Sequence, residues 1–222
     1  EAFCIEMFGH RPVAYMQEVD WIGDDVWFAH SVHVNQDEMN LYAKTGCGVA
    51  HCPTSNMRLA SGIAPILDML QAGVKVGVGV DGSASNDSSH LLDEVRMTMM
   101  ASRVRAGMMG ASLSGDDAPP LMSARQALEL ATIGSASVLG RHDIGSLEPG
   151  KAADFFAVDL NRLDYAGALH DPVAALIFAA PVKADYTVVG GNFVVKDGQM
   201  VTVDVPQLIL EHNHLAAQLI EG

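Results

Sequence analysis

The sequence predicts an α/β protein built from parallel βαβ units, followed by a smaller β module and a closing helix. Three observations carry this. Val26-Trp27-Phe28-Ala29-His30, Gly48-Val49-Ala50-His51 and Val74-Lys75-Val76-Gly77-Val78-Gly79-Val80-Asp81 are short β-rich runs, each ending on a side chain able to do chemistry. The stretches between them, Gln36 to Thr45 and Ile63 to Ala72, have helical spacing and stop at Gly46 and Gly73, as helix C-caps do. Past Gly145 the pattern turns to β, with runs over 153–158, 185–189 and 192–195 and a tight turn at Lys196-Asp197-Gly198.

The third run is the most informative. It is continuously apolar, as a strand buried on both faces must be, and it meets the turn-rich segment Gly82 to Ser89 at Asp81. In parallel α/β folds each strand feeds a loop at its C-terminal mouth, where side chains from several strands converge, so a carboxylate there is a candidate for chemistry. Asp87 suits a turn role better. Cys52-Pro53 closes the second strand. Leu91 to Gly107 reads as a strong helix, Ala111 to Pro120 as a polar loop, Ser123 to about Leu139 as a further helix, and Val205 to Ile220 as one amphipathic helix.

Composition narrows the function classes. With 222 residues, 49% hydrophobic and 18% charged, the chain is globular and able to bury one full core or somewhat more. Its net charge of −14, with only 13 scattered Lys and Arg, argues against a nucleic-acid partner and leaves a small neutral or cationic ligand compatible. No apolar run reaches membrane-span length, and Glu1-Ala2-Phe3-Cys4 reads as a start in mid-chain rather than a signal peptide. Cys4, Cys47 and Cys52 form no paired pattern, so a reducing cytoplasm is the expected setting.

Three parallel strands cannot close a barrel, which needs eight and about 250 residues. Either the sheet is open or these are the last strands of a barrel. Here five ordered motifs matter: Trp27-Phe28-Ala29-His30; His51-Cys52-Pro53-Thr54-Ser55-Asn56; Val78-Gly79-Val80-Asp81-Gly82-Ser83-Ala84-Ser85-Asn86; Ala131-Thr132 through Leu139-Gly140; and Gly145-Ser146-Leu147-Glu148-Pro149-Gly150-Lys151-Ala152-Ala153-Asp154. Together they resemble the amidohydrolase superfamily, and most of all its branch of aminohydrolases acting on purine, pyrimidine and triazine rings. The run from Cys52 to Pro65, with Asp81 to Asp87, is similar to deaminases of 8-oxoguanine-like rings.

The resemblance implies the C-terminal part of a (β/α)8 TIM-type barrel plus part of a small β-sandwich. Residues 1–143 would be the last βα units and following helices, 144–204 the sandwich portion, and 205–222 a C-terminal helix. It also implies one divalent metal, most often Zn2+, held by a His-x-His pair on the first strand, a histidine on the fifth and an aspartate on the eighth. Asp81 matches that aspartate. His30 matches the sixth-strand histidine, which hydrogen-bonds the metal-activated water or the tetrahedral intermediate. The His-x-His pair and the fifth-strand His-x-x-Glu have no match and are expected upstream of Glu1.

The implied reaction is hydrolytic deamination of a purine-like or pyrimidine-like ring, of 8-oxoguanine or isocytosine type. Hydroxide held on the metal, formed with Asp81 as general base, attacks the ring carbon bearing the amine; His30 stabilises the intermediate and ammonia leaves. A triazine-type hydrolase and a non-catalytic scaffold without the metal site are the alternatives. Implied partners are a small heterocyclic substrate, the N-terminal part of the same barrel and, at family level, a second copy of the protein.

Other side chains weigh less. His51 either faces the pocket or makes a polar contact beneath the loop, while Asn56 and Arg58, expected in the loop, are candidates for ring carbonyls. His33 suits a solvated loop and His90 a helix cap. His212 and His214 lie about 200° apart around a helix, too divergent for joint ligation. Cys52 reads as a buried thiol, and Met97, Met99 and Met100 as core filler.

Overall fold

The computed structural model describes residues 1–109, 120–179 and 183–221. Two helices absent from the sequence reading open the chain, α1 (Ala2–Phe8) and α2 (Pro12–Glu18). Gly9, at φ 74°, ends the first, and Phe8 stacks on Tyr15 with ring centroids 4.3 Å apart.

Strand β1 (Trp27–Ala29), helix α3 (Gln36–Thr45), strand β2 (Gly48–His51), helices α4 (Pro53–Arg58) and α5 (Ile66–Ala72), and strand β3 (Lys75–Val78) form the parallel unit. The sheet order is β1-β2-β3, all parallel, with Ala29, Ala50 and Gly77 in one row. Helix α3 is bounded as its sequence dictates. Asn35 and Glu38 form a reciprocal capping box, which contributes about 1 kcal/mol, and Gly46 leaves the helix left-handed at φ 80°. Arg11 grips Glu38 with Nε and Nη2, both at 2.8 Å, tying the N-terminal helices to α3.

One face of the sheet, carrying Val49 and Val76, packs into a core with Met39, Tyr42, Ile66, Met69, Val95 and Met99. Phe28 stacks on Tyr42 at 5.2 Å. The helix that follows, α6 (Leu91–Met108), supplies Val95 and Met99; of the neighbouring methionines expected in the core, Met97 is only half-buried and Met100 is exposed.

The next helix begins at Ser123 through a second capping box, with Gln126, and has three parts: α7 (Ala124–Glu129), a π-helical turn over Leu130–Gly134, and α8 (Ser135–Val138). The π turn meets the free edge of β3. Gly79 N–H points to His51 O across β2, so Val78 N–H points outward, and there it donates to Ser135 Oγ at 3.1 Å. The approach is possible because Gly77 and Gly134 lack side chains: a Cβ on Gly134 would sit 2.5 Å from Val76 O, and one on Gly77 2.8 Å from Ser135 Cα.

The C-terminal β module is an antiparallel sheet, β4 (Phe155–Ala157), β5 (Tyr186–Val189), β6 (Asn192–Lys196) and β7 (Gln199–Met200), in that order. A 3-10 turn (Leu163–Tyr165) and helix α9 (Pro172–Phe178), capped by Asp171, break the all-β stretch the sequence led us to expect. Helix α10 (Val205–Glu221) closes the chain.

Three other expectations need correction or fall outside. The helix predicted from Ile63 starts only at Ile66, because Pro65 has no N–H to give and pushes Ala64 out of helical conformation. The loop predicted after Cys52 is helix α4, since Pro53 serves as its first residue rather than as a strand stop. The polar loop at 111–120 lies, except for Pro120, outside the described residues. Among the described residues no helix is long and apolar enough to cross a membrane.

Candidate active site

The mouth of the parallel sheet brings together the ends of β1 and β3 and the first turn of α4. Asp81 and His30 both leave their strands with left-handed backbones, φ 63° and 65°. For residues with side chains this conformation costs about 1–3 kcal/mol and persists only where the surroundings impose it. Here it turns the two side chains toward one another. His30 Nε2 lies 3.6 Å from Asp81 Oδ2, and the side chains keep 37% and 32% of their exposure, so both remain open to solvent.

Each is held from behind. Asp81 Oδ2 accepts from Ser55 Oγ at 2.6 Å and from Ser85 Oγ at 3.0 Å. The Ser55 hydroxyl first, then the Gly82 backbone, holds the Asp81 carboxyl below the usual carboxylate range against a small opposing effect of burial. The carboxylate therefore stays ionised and available as a cation ligand or proton acceptor. His30 Nδ1 lies 2.8 Å from Asn56 Oδ1. That oxygen only accepts, so Nδ1 donates to it and Nε2 faces the site beside Asp81.

The other expected residues take different places. Asn56 sits on α4 rather than in a loop, 3% exposed, with its carbonyl on His30 and its enclosed Nδ2 without a partner among the described residues. His51 is 1% exposed, and its Nδ1 likewise has no partner among them; burial, with His30 adding to it, pushes its imidazole down to about 3, so it is neutral. Arg58, also on α4, pairs with Asp87 at the rim. Asp87 therefore holds Arg58 and does not cap α6, whose N-cap is His90 through Nδ1. Cys52 precedes α4, yet burial pushes its thiol up to about 11, which leaves it an inert buried group. His33, His212 and His214 are exposed.

Sequence reading missed four residues that build this site: Ser55, Ser85, Asn86 and Glu94. Glu94 is fully buried on α6, accepting from Thr54 N–H at 3.1 Å and from Asn86 Nδ2 at 2.8 Å. Serines and an asparagine in a turn-rich run look like ordinary loop. An acidic residue in the first turn of α6 looks like a dipole partner.

The amidohydrolase family profile matches residues 4–198. The chain belongs to the amidohydrolase family. The 8-oxoguanine deaminase of Pseudomonas aeruginosa PAO1 is 42% identical over the whole of this chain and 47% of its own length. Atrazine chlorohydrolase from Arthrobacter aurescens TC1, crystallised with zinc, superposes with a TM-score of 0.88 at 33% identity, covering 96% of this chain and 46% of that one. A zinc-bound adenosine deaminase from Xanthomonas campestris gives a TM-score of 0.90 at 28% identity, covering 100% and 48%. This amidohydrolase chain spans about half the length of the relatives it matches. Its fold is the C-terminal part of the (β/α)8 barrel with part of the small β-sandwich, as the motifs implied.

The residues present fit a divalent cation in part. Among the described residues no group of three or more His, Cys, Asp and Glu is gathered to hold a metal. Asp81, ionised and partly exposed, suits one ligand of such a site, and the His30 ring suits its edge.

Proposed function

We propose that the complete polypeptide carrying this chain is a metal-dependent hydrolytic deaminase of a purine-like or pyrimidine-like ring. The observation that supports it best is the pairing of Asp81 and His30: two groups with separate supports, turned by left-handed backbones to face one another at a parallel-strand mouth. Residues 1–143 are taken as the barrel portion, 144–204 as the sandwich portion and 205–222 as the closing helix. The His-x-His pair and the fifth-strand His and Glu are taken to lie in the rest of the polypeptide.

In this reading Asp81 would help hold a divalent metal, taken as Zn2+, which when bound would lower the pKa of a water toward 7 and polarise the ring carbon's substituents. Asp81 Oδ2, steadied by two serine hydroxyls, takes the proton of the attacking water and passes it toward the departing amine. His30 holds its Nε2 toward the same point, where it hydrogen-bonds the attacking water and then the developing oxyanion. Asn56 fixes the ring plane and tautomer of His30. Of the groups expected to meet the substrate ring, Arg58 is exposed but paired with Asp87, whereas His51 and Asn56 are buried.

A triazine-type hydrolase is the second reading, supported by the fit to the atrazine chlorohydrolase fold. Ammonia release separates the two. The zinc-loaded complete polypeptide, offered 8-oxoguanine, isocytosine, guanine and chlorinated triazines, is expected to release ammonia from a purine or pyrimidine ring. Chloride release from a triazine without ammonia would favour the second reading, and neither product would favour a non-catalytic scaffold.

A further inference from the structure

The buried Glu94 carboxylate has no part in the chemistry above. It is fully enclosed, and among the described residues no Lys, Arg or His lies within ion-pair distance of it. A buried carboxylate without a counter-charge is costly to maintain, so its contacts are the place to look for its purpose. Oε2 accepts from Thr54 N–H, next to the Ser55 that holds Asp81. Oε1 accepts from Asn86 Nδ2, which also donates to Val80 O at 2.8 Å. Asn86 is 1% exposed, and its Oδ1 receives Ser88 Oγ and Ser89 N–H, so its orientation is fixed on both sides.

Val80 O and Asp81 N belong to one peptide plane. Pinning that oxygen sets the plane from which Asp81 rotates into its left-handed conformation. Glu94 thus reaches both supports of Asp81: the backbone behind it through Asn86, and the hydroxyl in front of it through the Thr54-Ser55 turn of α4. We propose that Glu94 and Asn86 are positioning residues, a buried latch that holds the Asp81 carboxylate in its metal-binding orientation. The inference rests on the reading of Asp81 as a metal ligand.

The test uses the complete polypeptide loaded with zinc and challenged with a colorimetric zinc chelator. Glu94→Gln keeps the side chain's size but sets an NH2 group against Thr54 N–H or Asn86 NH2. It is expected to speed zinc release by about 10-fold or more, and to lower kcat with KM changed less than about 3-fold. In an Asp81→Asn background the same change is expected to leave zinc release where Asp81→Asn alone puts it, because the latch acts through Asp81. A purely structural role predicts instead that the two effects multiply, and that outcome overturns the proposal. So does wild-type zinc retention and kcat in folded Glu94→Gln. If Glu94→Gln does not fold, Asn86→Asp, which removes the donor to Val80 O, carries the same expectations and the same contrary results. Wild-type zinc release by Asp81→Asn alone removes the metal-ligand reading itself, and this proposal with it; retention altered by Asp81→Asn but not by Glu94→Gln or Asn86→Asp removes only the latch.

Discussion

The mouth of the parallel sheet and the C-terminal β module are finished to different degrees. Around Asp81 and His30 a dense set of polar contacts comes from adjoining elements: Ser55, Ser85, Asn86, Glu94 and Asn56 lie on α4, the loop after β3 and α6. In the β module and α10 many apolar groups are uncovered. Phe155, Phe156, Val189 and Phe193 on the sheet, and Leu210, Leu215 and Leu219 on the helix, are exposed. The scaffold that aims the two candidate catalytic groups is therefore local, while the β module and α10 leave apolar surface open. Orientation at the site and stability of the whole are separable properties of this sequence.

Substitutions at the mouth should break chemistry with little change in stability. The largest effect is expected at Asp81: Asp81→Asn abolishes turnover and weakens metal retention, while the urea midpoint of the apoprotein stays near that of the wild-type apoprotein. His30→Ala comes next, retaining metal by elemental analysis but lowering kcat by about 10² or more. Full activity in that variant would remove His30 from the chemistry.

The smallest expected effect is on stability alone and sits at His51. Its ring titrates near 6.5 when unfolded but only near 3 when buried, so between those values the unfolded state binds more protons. Stability accordingly falls as pH drops from about 6.5 toward 3, by at most about 1.4 kcal/mol per pH unit from this one group. Urea midpoints at pH 7 and pH 5 should show a shallower decline in His51→Gln than in wild type, and an unchanged decline would assign the acid sensitivity elsewhere.

The strands and the carboxylate at the end of the third were legible because a doubly buried parallel strand needs an unbroken apolar run, and the end of that run marks the mouth. Helix α3 was legible from its helical spacing and from Gly46, whose role is local. Helix α4 was not, since Pro53 ends a strand or begins a helix with equal ease and only the packing of Ser55 and Asn56 decides. Glu94 and Asn86 were hidden for a related reason: a carboxylate in a first helical turn has a sufficient local explanation, so its buried contacts with Thr54 and Asn86 leave no mark on the spacing. The left-handed turns at His30 and Asp81 are likewise imposed by tertiary contacts and carry no glycine to announce them.

The metal role proposed for Asp81 depends on where the metal sits relative to its carboxylate. Crystals of the complete polypeptide grown with zinc, measured at the zinc absorption edge, should show an anomalous peak about 2.0–2.2 Å from an Asp81 carboxylate oxygen, with His30 Nε2 near but outside bonding distance. A zinc peak that excludes Asp81, or an Asp81 side chain turned out of the barrel mouth in that crystal, would contradict it.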